Sequence, residues 1–212
     1  MQILEMQKKI KELGDSVEKV PWENKKVYGA FLAQTYYYVL HSTRILASAA
    51  GRFGFEAETI HKRFIKHAAE EMNHEHLATR DIKNLGFKLE DFPEFASTRA
   101  FYQVHYQTIE HTSPWSVMGY IAMIEGLAVD RGSWLYEKVK NAHGEKTGGF
   151  MKIHAAEDVE HVHEVEKILL ALPEHEQANV LRHFETSCFL YRSILAEATA
   201  FGSSQKTAKN AA

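Results

Sequence analysis

The sequence predicts an all-α protein, a single domain folded as a bundle of about seven helices. Three observations lead there. Apolar stripes at steps of three and four residues run along the long segments. No stretch shows sustained two-residue alternation with β-branched enrichment. Short Gly and Pro breaks separate the segments without marking a domain boundary. With 212 residues the chain can bury a substantial core. The domain is expected over residues 1–201, with residues 202–212 (GSSQKTAKNAA) as a frayed polar tail.

The elements follow in order. Residues 1–13 form a short amphipathic helix that stops at Gly14, and Pro21 is placed to start the next one. Trp22 to Ala50 read as one long helix with the stripe Val27, Phe31, Gln34, Tyr38, His41 and Ile45, apolar apart from Gln34 and His41. Gly51 and Gly54 end it. A third helix runs from about Glu56 to Leu85 and stops at Gly86. Ser97 can cap a fourth helix reaching Thr112, and Pro114 opens a fifth, Trp115 to Lys140. Residues 141–149, NAHGEKTGG, read as the most flexible internal segment. Phe150 to Leu170 form a sixth helix, and Pro173 starts a seventh that continues to about Phe201.

Composition removes several classes of function. The net charge of −3 carries no basic excess that would suggest nucleic acid. No apolar run reaches the length of a membrane span, and the N-terminus lacks the apolar core of a signal peptide. The one cysteine, Cys188, excludes an intramolecular disulfide framework and fits a reducing, cytoplasmic compartment. Cys188 reads as a packed core thiol.

The chemistry lies in polar groups on otherwise apolar stripes. In the sixth helix Phe150, His154, Asp158, His161, Val165 and Ile168 share one face, apolar at both ends and His, Asp, His in the middle. Such groups are costly to bury unless something satisfies them, as a metal ion would. In a chain with thirteen histidines a run of surface histidines is the alternative, and that helix alone leaves both open. The third helix repeats the pattern with Ile60, Phe64, His67, Glu71, His74 and Ala78. In the fifth, Glu125 is the only charged residue from Trp115 to Val129, and Gly119 and Gly126 beside it permit close approach. Imidazole and carboxylate on inner faces of a bundle suit iron or manganese. Without thiolates the set argues against structural zinc, and its size favours two metals over one with a polar surround.

Four segments carry a family resemblance: AQTYYYVLHSTRILA, HAAEEMNHEHLATRDIKNLG, GYIAMIEGLA and HAAEDVEHVHEV. Over roughly Phe31 to Leu190 the sequence resembles the haem-oxygenase-like di-iron oxidases and oxygenases, in particular the iron-containing redox enzymes. Relatives of that group include pyrroloquinoline quinone synthase, the TenA thiaminase-like proteins and the chlamydial death-domain-associated protein. The resemblance implies a haem-oxygenase-like bundle and a homodimer. It also implies a non-haem, di-iron enzyme that activates dioxygen to oxidise a small organic substrate. Glu71, His74, Glu125, His154, Asp158 and His161 match the metal-ligand pattern, with His67 as a further candidate. Glu71, Glu125 and Asp158 would offset the metal charge, with Glu125 as the bridge. The chain departs from the pattern where His67 stands in a carboxylate's place and where the second helix offers only Gln34 and His41. Two other readings stay open: a haem- or small-cofactor-binding protein of the same fold, with His41 as a haem ligand, and a cofactorless oxidase of the quinone-synthase type.

Overall fold

A computed structural model describes the backbone of residues 2–204 and the side chains of residues 3–155 and 162–204. Among the described residues there are nine α-helices and no strand. They are α1 (Gln2–Glu18), α2 (Lys25–Val39), α3 (Ser42–Ala50), α4 (Glu58–Glu70), α5 (Glu75–Asn84), α6 (Ala96–His111), α7 (Val117–His143), α8 (Gly149–Ala171) and α9 (Glu174–Ser203).

The central helix is α7, whose first part is buried on nearly every side, as its apolar sequence from Val117 to Leu127 requires. It packs along α8 on one flank and against α9 and α1 on others, while α2 lies against α9 and α5. At Gly119 a Cβ would lie 2.3 Å from the Val180 carbonyl, so the α7–α9 crossing needs a residue without one. Trp22, Tyr28, Phe31, Phe101 and Phe184 are fully buried in the common core.

Nine helices replace the expected seven because two long segments break without Pro or Gly. Between α2 and α3 the His41 N–H turns back to Tyr38 O at 3.0 Å, a tight turn before the helix restarts. Between α4 and α5 the cause is Asn73, whose φ of 72° lies in the left-handed region. Asn tolerates that conformation better than most L-residues.

Other boundaries shift for tertiary reasons. Helix α1 continues through Gly14 to Glu18, because Gly14 packs directly onto Asp130 and Arg131 while Leu13 and Val17 stay buried. Ser97 does not cap α6. Gln34 reaches in from α2, accepts from the Phe95 N–H at 2.9 Å and the Thr98 hydroxyl at 2.8 Å, and donates to Pro93 O at 3.0 Å. Helix α9 extends to Ser203, with Gly202 buried against Val27; residues 205–212 lie outside the described residues. Segment 141–149 is fastened: Tyr28 donates to Thr147 O at 2.7 Å, Asn84 to Lys146 O at 2.5 Å, and the His143 ring hydrogen-bonds Trp22 O at 2.7 Å.

Candidate metal centre

The break at Asn73 supplies the first two groups. Glu71 is the C-cap of α4 and His74 the N-cap of α5. The two are therefore not successive positions of one continuous helix, as their spacing suggested; a non-helical turn joins them. Glu125 comes from the buried part of α7 and His154 from the second turn of α8. Ligand atoms of Glu71, His74 and His154 all lie within 4.8 Å of one another. The His74 and His154 rings meet edge to face, 4.9 Å between centroids.

His154 is oriented from its other side. Its Nδ1 is 2.9 Å from Phe150 O, and its ring stacks on the Phe150 ring at 4.1 Å. A neutral ring that donates from Nδ1 carries its lone pair on Nε2. A backbone acceptor behind the ring is the usual support of a metal-binding histidine.

His67 sits between the carboxylates, with Nε2 3.0 Å from Glu125 Oε1 and 3.7 Å from Glu71 Oε1. Burial alone would depress its ring, but the hydrogen bonds and charges of Glu125 and Glu71 outweigh burial and hold it up at about 9. Burial would likewise raise the Glu71 carboxyl. The bonds to His67 and His74, with the charge of His67, hold it well below the usual carboxylate range instead.

Five of the seven candidate ligands, His67, Glu71, His74, Glu125 and His154, thus come together. Asp158 and His161 fall on α8, and their side chains lie outside the described residues. One carboxylate and two imidazoles without thiolate fit a non-haem iron ion, with manganese as the alternative. Glu70, beside the set, is turned outward to Arg63 at 3.3 Å and Lys66 at 3.1 Å.

His67, Glu71, Glu125 and His154 line a cavity of about 90 Å³. Trp22, Phe31, Leu46, Ile124 and Leu135 contribute apolar wall. At Arg131 the wall is charged: the guanidinium lies 2.7 Å from Asp130, 2.8 Å from Glu18 and 3.5 Å from Asp15, tying the end of α1 to α7.

Among the aromatic residues of the inward faces, Tyr38 lines the cavity. Tyr37 donates to Phe92 O at 3.1 Å, and Trp115 packs edge-on against Phe53. Tyr102 and Tyr106 hold His41, stacked at 3.9 Å and hydrogen-bonded at 3.0 Å respectively. Tyr120, Tyr191 and Arg131 also line the cavity, although nothing in their spacing marks them. Cys188 is buried away from it, and burial pushes its thiol up to about 12.

Solved structures of low sequence identity share this architecture. A domain of unknown function with a haem-oxygenase-like fold from Shewanella denitrificans aligns with a TM-score of 0.83 at 20% identity, over 93% of this chain and 92% of its own. A TenA homologue from Pseudomonas syringae gives 0.77 at 14% identity over 93% and 92%, and one from Pyrococcus furiosus 0.71 at 14% over 93% and 100%. These likenesses define the class: an all-α protein of the haem-oxygenase-like fold. No curated protein matches the chain. Residues 29–192 match the family of iron-containing redox enzymes, and the chain belongs to that family.

Proposed function

We propose that this protein is a non-haem iron oxidase or oxygenase that uses dioxygen to oxidise a small organic substrate held in the apolar cavity. The observation that carries the reading is the Glu71, His74 and His154 cluster, with Glu71 and His154 in the cavity wall. Two imidazoles and one carboxylate are a donor set that suits ferrous iron. Glu71, His74 and His154 would hold one ion, and the sequence pattern offers Glu125, Asp158 and His161 as further ligands toward a second. Bound iron supplies dioxygen binding and one-electron chemistry. The chain's own residues do the rest. Glu71, Glu125 and Asp158 provide the negative charge that offsets the metal. His67 donates to Glu125 and keeps that carboxylate oriented. Trp22, Phe31 and Leu135 exclude water and select an apolar substrate.

The test is anaerobic loading with ferrous salt, an iron count per chain, and oxygen uptake with candidate apolar substrates. Stoichiometric iron that is lost in His154→Ala is the expected result. A Soret band without stoichiometric non-haem iron would favour the haem-binding reading. Activity and metal content untouched in both His154→Ala and Glu125→Ala would favour a cofactorless oxidase.

A further inference from the structure

We propose that Asp81 is a positioning residue that sets the distance between His74 and His154. The inference rests on the metal-binding reading above and goes beyond its ligand set.

Asp81 belongs to the inward stripe of α5, with Ala78, Ile82 and Leu85, and its carboxylate is fully buried. A carboxylate in such a place is costly without compensation. The nearest cationic group, Arg80 Nε, is 4.0 Å from Oδ1 on a side chain that is largely exposed. Oδ1 makes no hydrogen bond of standard geometry among the described residues, and the Gly149 backbone N–H is the further donor directed at the carboxylate. What holds the carboxylate is the start of α8: Oδ2 accepts from the Phe150 N–H at 2.8 Å.

The beginning of α8 needs such a group. Its N-cap, Gly148, makes no side-chain cap bond, and its first residue is Gly149. The first-turn N–H groups of a helix have no partner of their own, and the positive end of the helix favours a negative charge. Asp81 supplies both the acceptor and the charge from a different helix.

The consequence reaches the metal centre through Phe150. Its N–H is held by Asp81, its carbonyl is hydrogen-bonded by His154 Nδ1 at 2.9 Å, and its ring stacks on the His154 ring. Asp81 sits two turns along the helix that His74 caps. One carboxylate therefore joins the segment that carries His74 to the segment that carries His154. Tyr28 and Asn84 anchor the preceding loop independently, so the fold does not depend on Asp81 alone.

The experiment titrates Co²⁺ into metal-free wild type, Asp81→Leu and Asp81→Asn, following the visible d–d bands together with circular dichroism and thermal melting. Leucine keeps the side-chain shape and removes the acceptor; asparagine restores it. Asp81→Leu is expected to melt cooperatively yet lose about tenfold to hundredfold in Co²⁺ affinity with altered bands, as for outer partners of metal ligands. Asp81→Asn is expected to recover most of both. Wild-type affinity and bands in Asp81→Leu overturn the proposal; should that variant not fold, Asp81→Ala carries the same reading. Wild type that binds no Co²⁺ overturns the metal-binding reading itself, an outcome distinct from the first.

Discussion

Two buried histidine clusters in this protein face opposite electrostatic fates. At the proposed metal centre, His67 lies between Glu71 and Glu125 and is held up at about 9 despite its burial. Between α6 and α9, His105 Nδ1 and His183 Nε2 meet at 2.8 Å, with His105 1% and His183 3% exposed. No carboxylate is among the causes that act on either ring there: burial pushes His183 down to about 4 and His105 well below its ordinary range. Equal burial thus produces a charged imidazole in one place and a neutral pair in the other. Neighbouring carboxylates decide which, and they also decide which cluster can hold a cation.

Removing a carboxylate has the largest expected effect. Glu71→Ala is expected to lose more Co²⁺ affinity than the tenfold to hundredfold typical of outer partners, whereas His183→Gln leaves that affinity unchanged. Competition titration against a chelator measures both. Next comes stability. Glu125→Ala strips a carboxylate from the buried His67 and is expected to cost about 3 kcal/mol in urea unfolding of the metal-free protein.

The histidine pair yields a pH signature of the opposite kind. Its folded-state values lie below the unfolded value of about 6.5, so the unfolded chain binds more protons in the window between. Stability is then fully present above pH 6.5 and falls as pH drops towards 4, the value reached by His183. The slope is about 1.4 kcal/mol per pH unit for each histidine. Urea midpoints of wild type and His183→Gln across that window are expected to diverge, the variant losing less with acid.

Two smaller effects refine the centre. At Gly132 a Cβ would lie 2.9 Å from Ala155 Cβ, next to His154, so Gly132→Ala forces α7 and α8 apart. About 1–2 kcal/mol of stability should be lost, together with some Co²⁺ affinity. At Asn73 the left-handed φ favours glycine, so Asn73→Gly is expected to be neutral and Asn73→Ala to cost about 1 kcal/mol by thermal melting.

What could be read from the sequence, and what could not, divides along a physical line. Helices and their inward faces are local patterns, and Glu71, Glu125 and His154 stood out as polar groups on apolar stripes. The turn at Asn73 did not, because Asn occupies helical and left-handed conformations alike and only the packing of α4 and α5 selects between them. Gln34 reads as an inward polar residue of the second helix. Its task is to fix the segment that leads into α6 across 59 to 64 residues of sequence, which no spacing rule reveals. Asp81 followed the buried stripe of α5, a signal that could have been seen, but its partner on α8 depends on the tertiary arrangement. The pairing of His105 with His183 depends likewise on which helices meet.

The cluster around Arg131 has a different consequence. Asp15 and Glu18 are 64% and 44% exposed, so their attraction for the guanidinium passes largely through water. Dissolved salt screens such pairs while leaving buried ones nearly intact. Ionic strength therefore acts on the cavity wall at Arg131. As salt rises, the last turn of α1, with Val17 in the cavity wall, is expected to exchange its amide hydrogens faster, while those of α7 around Glu125 stay protected. Hydrogen-exchange mass spectrometry at low and high salt reads both segments in a single experiment.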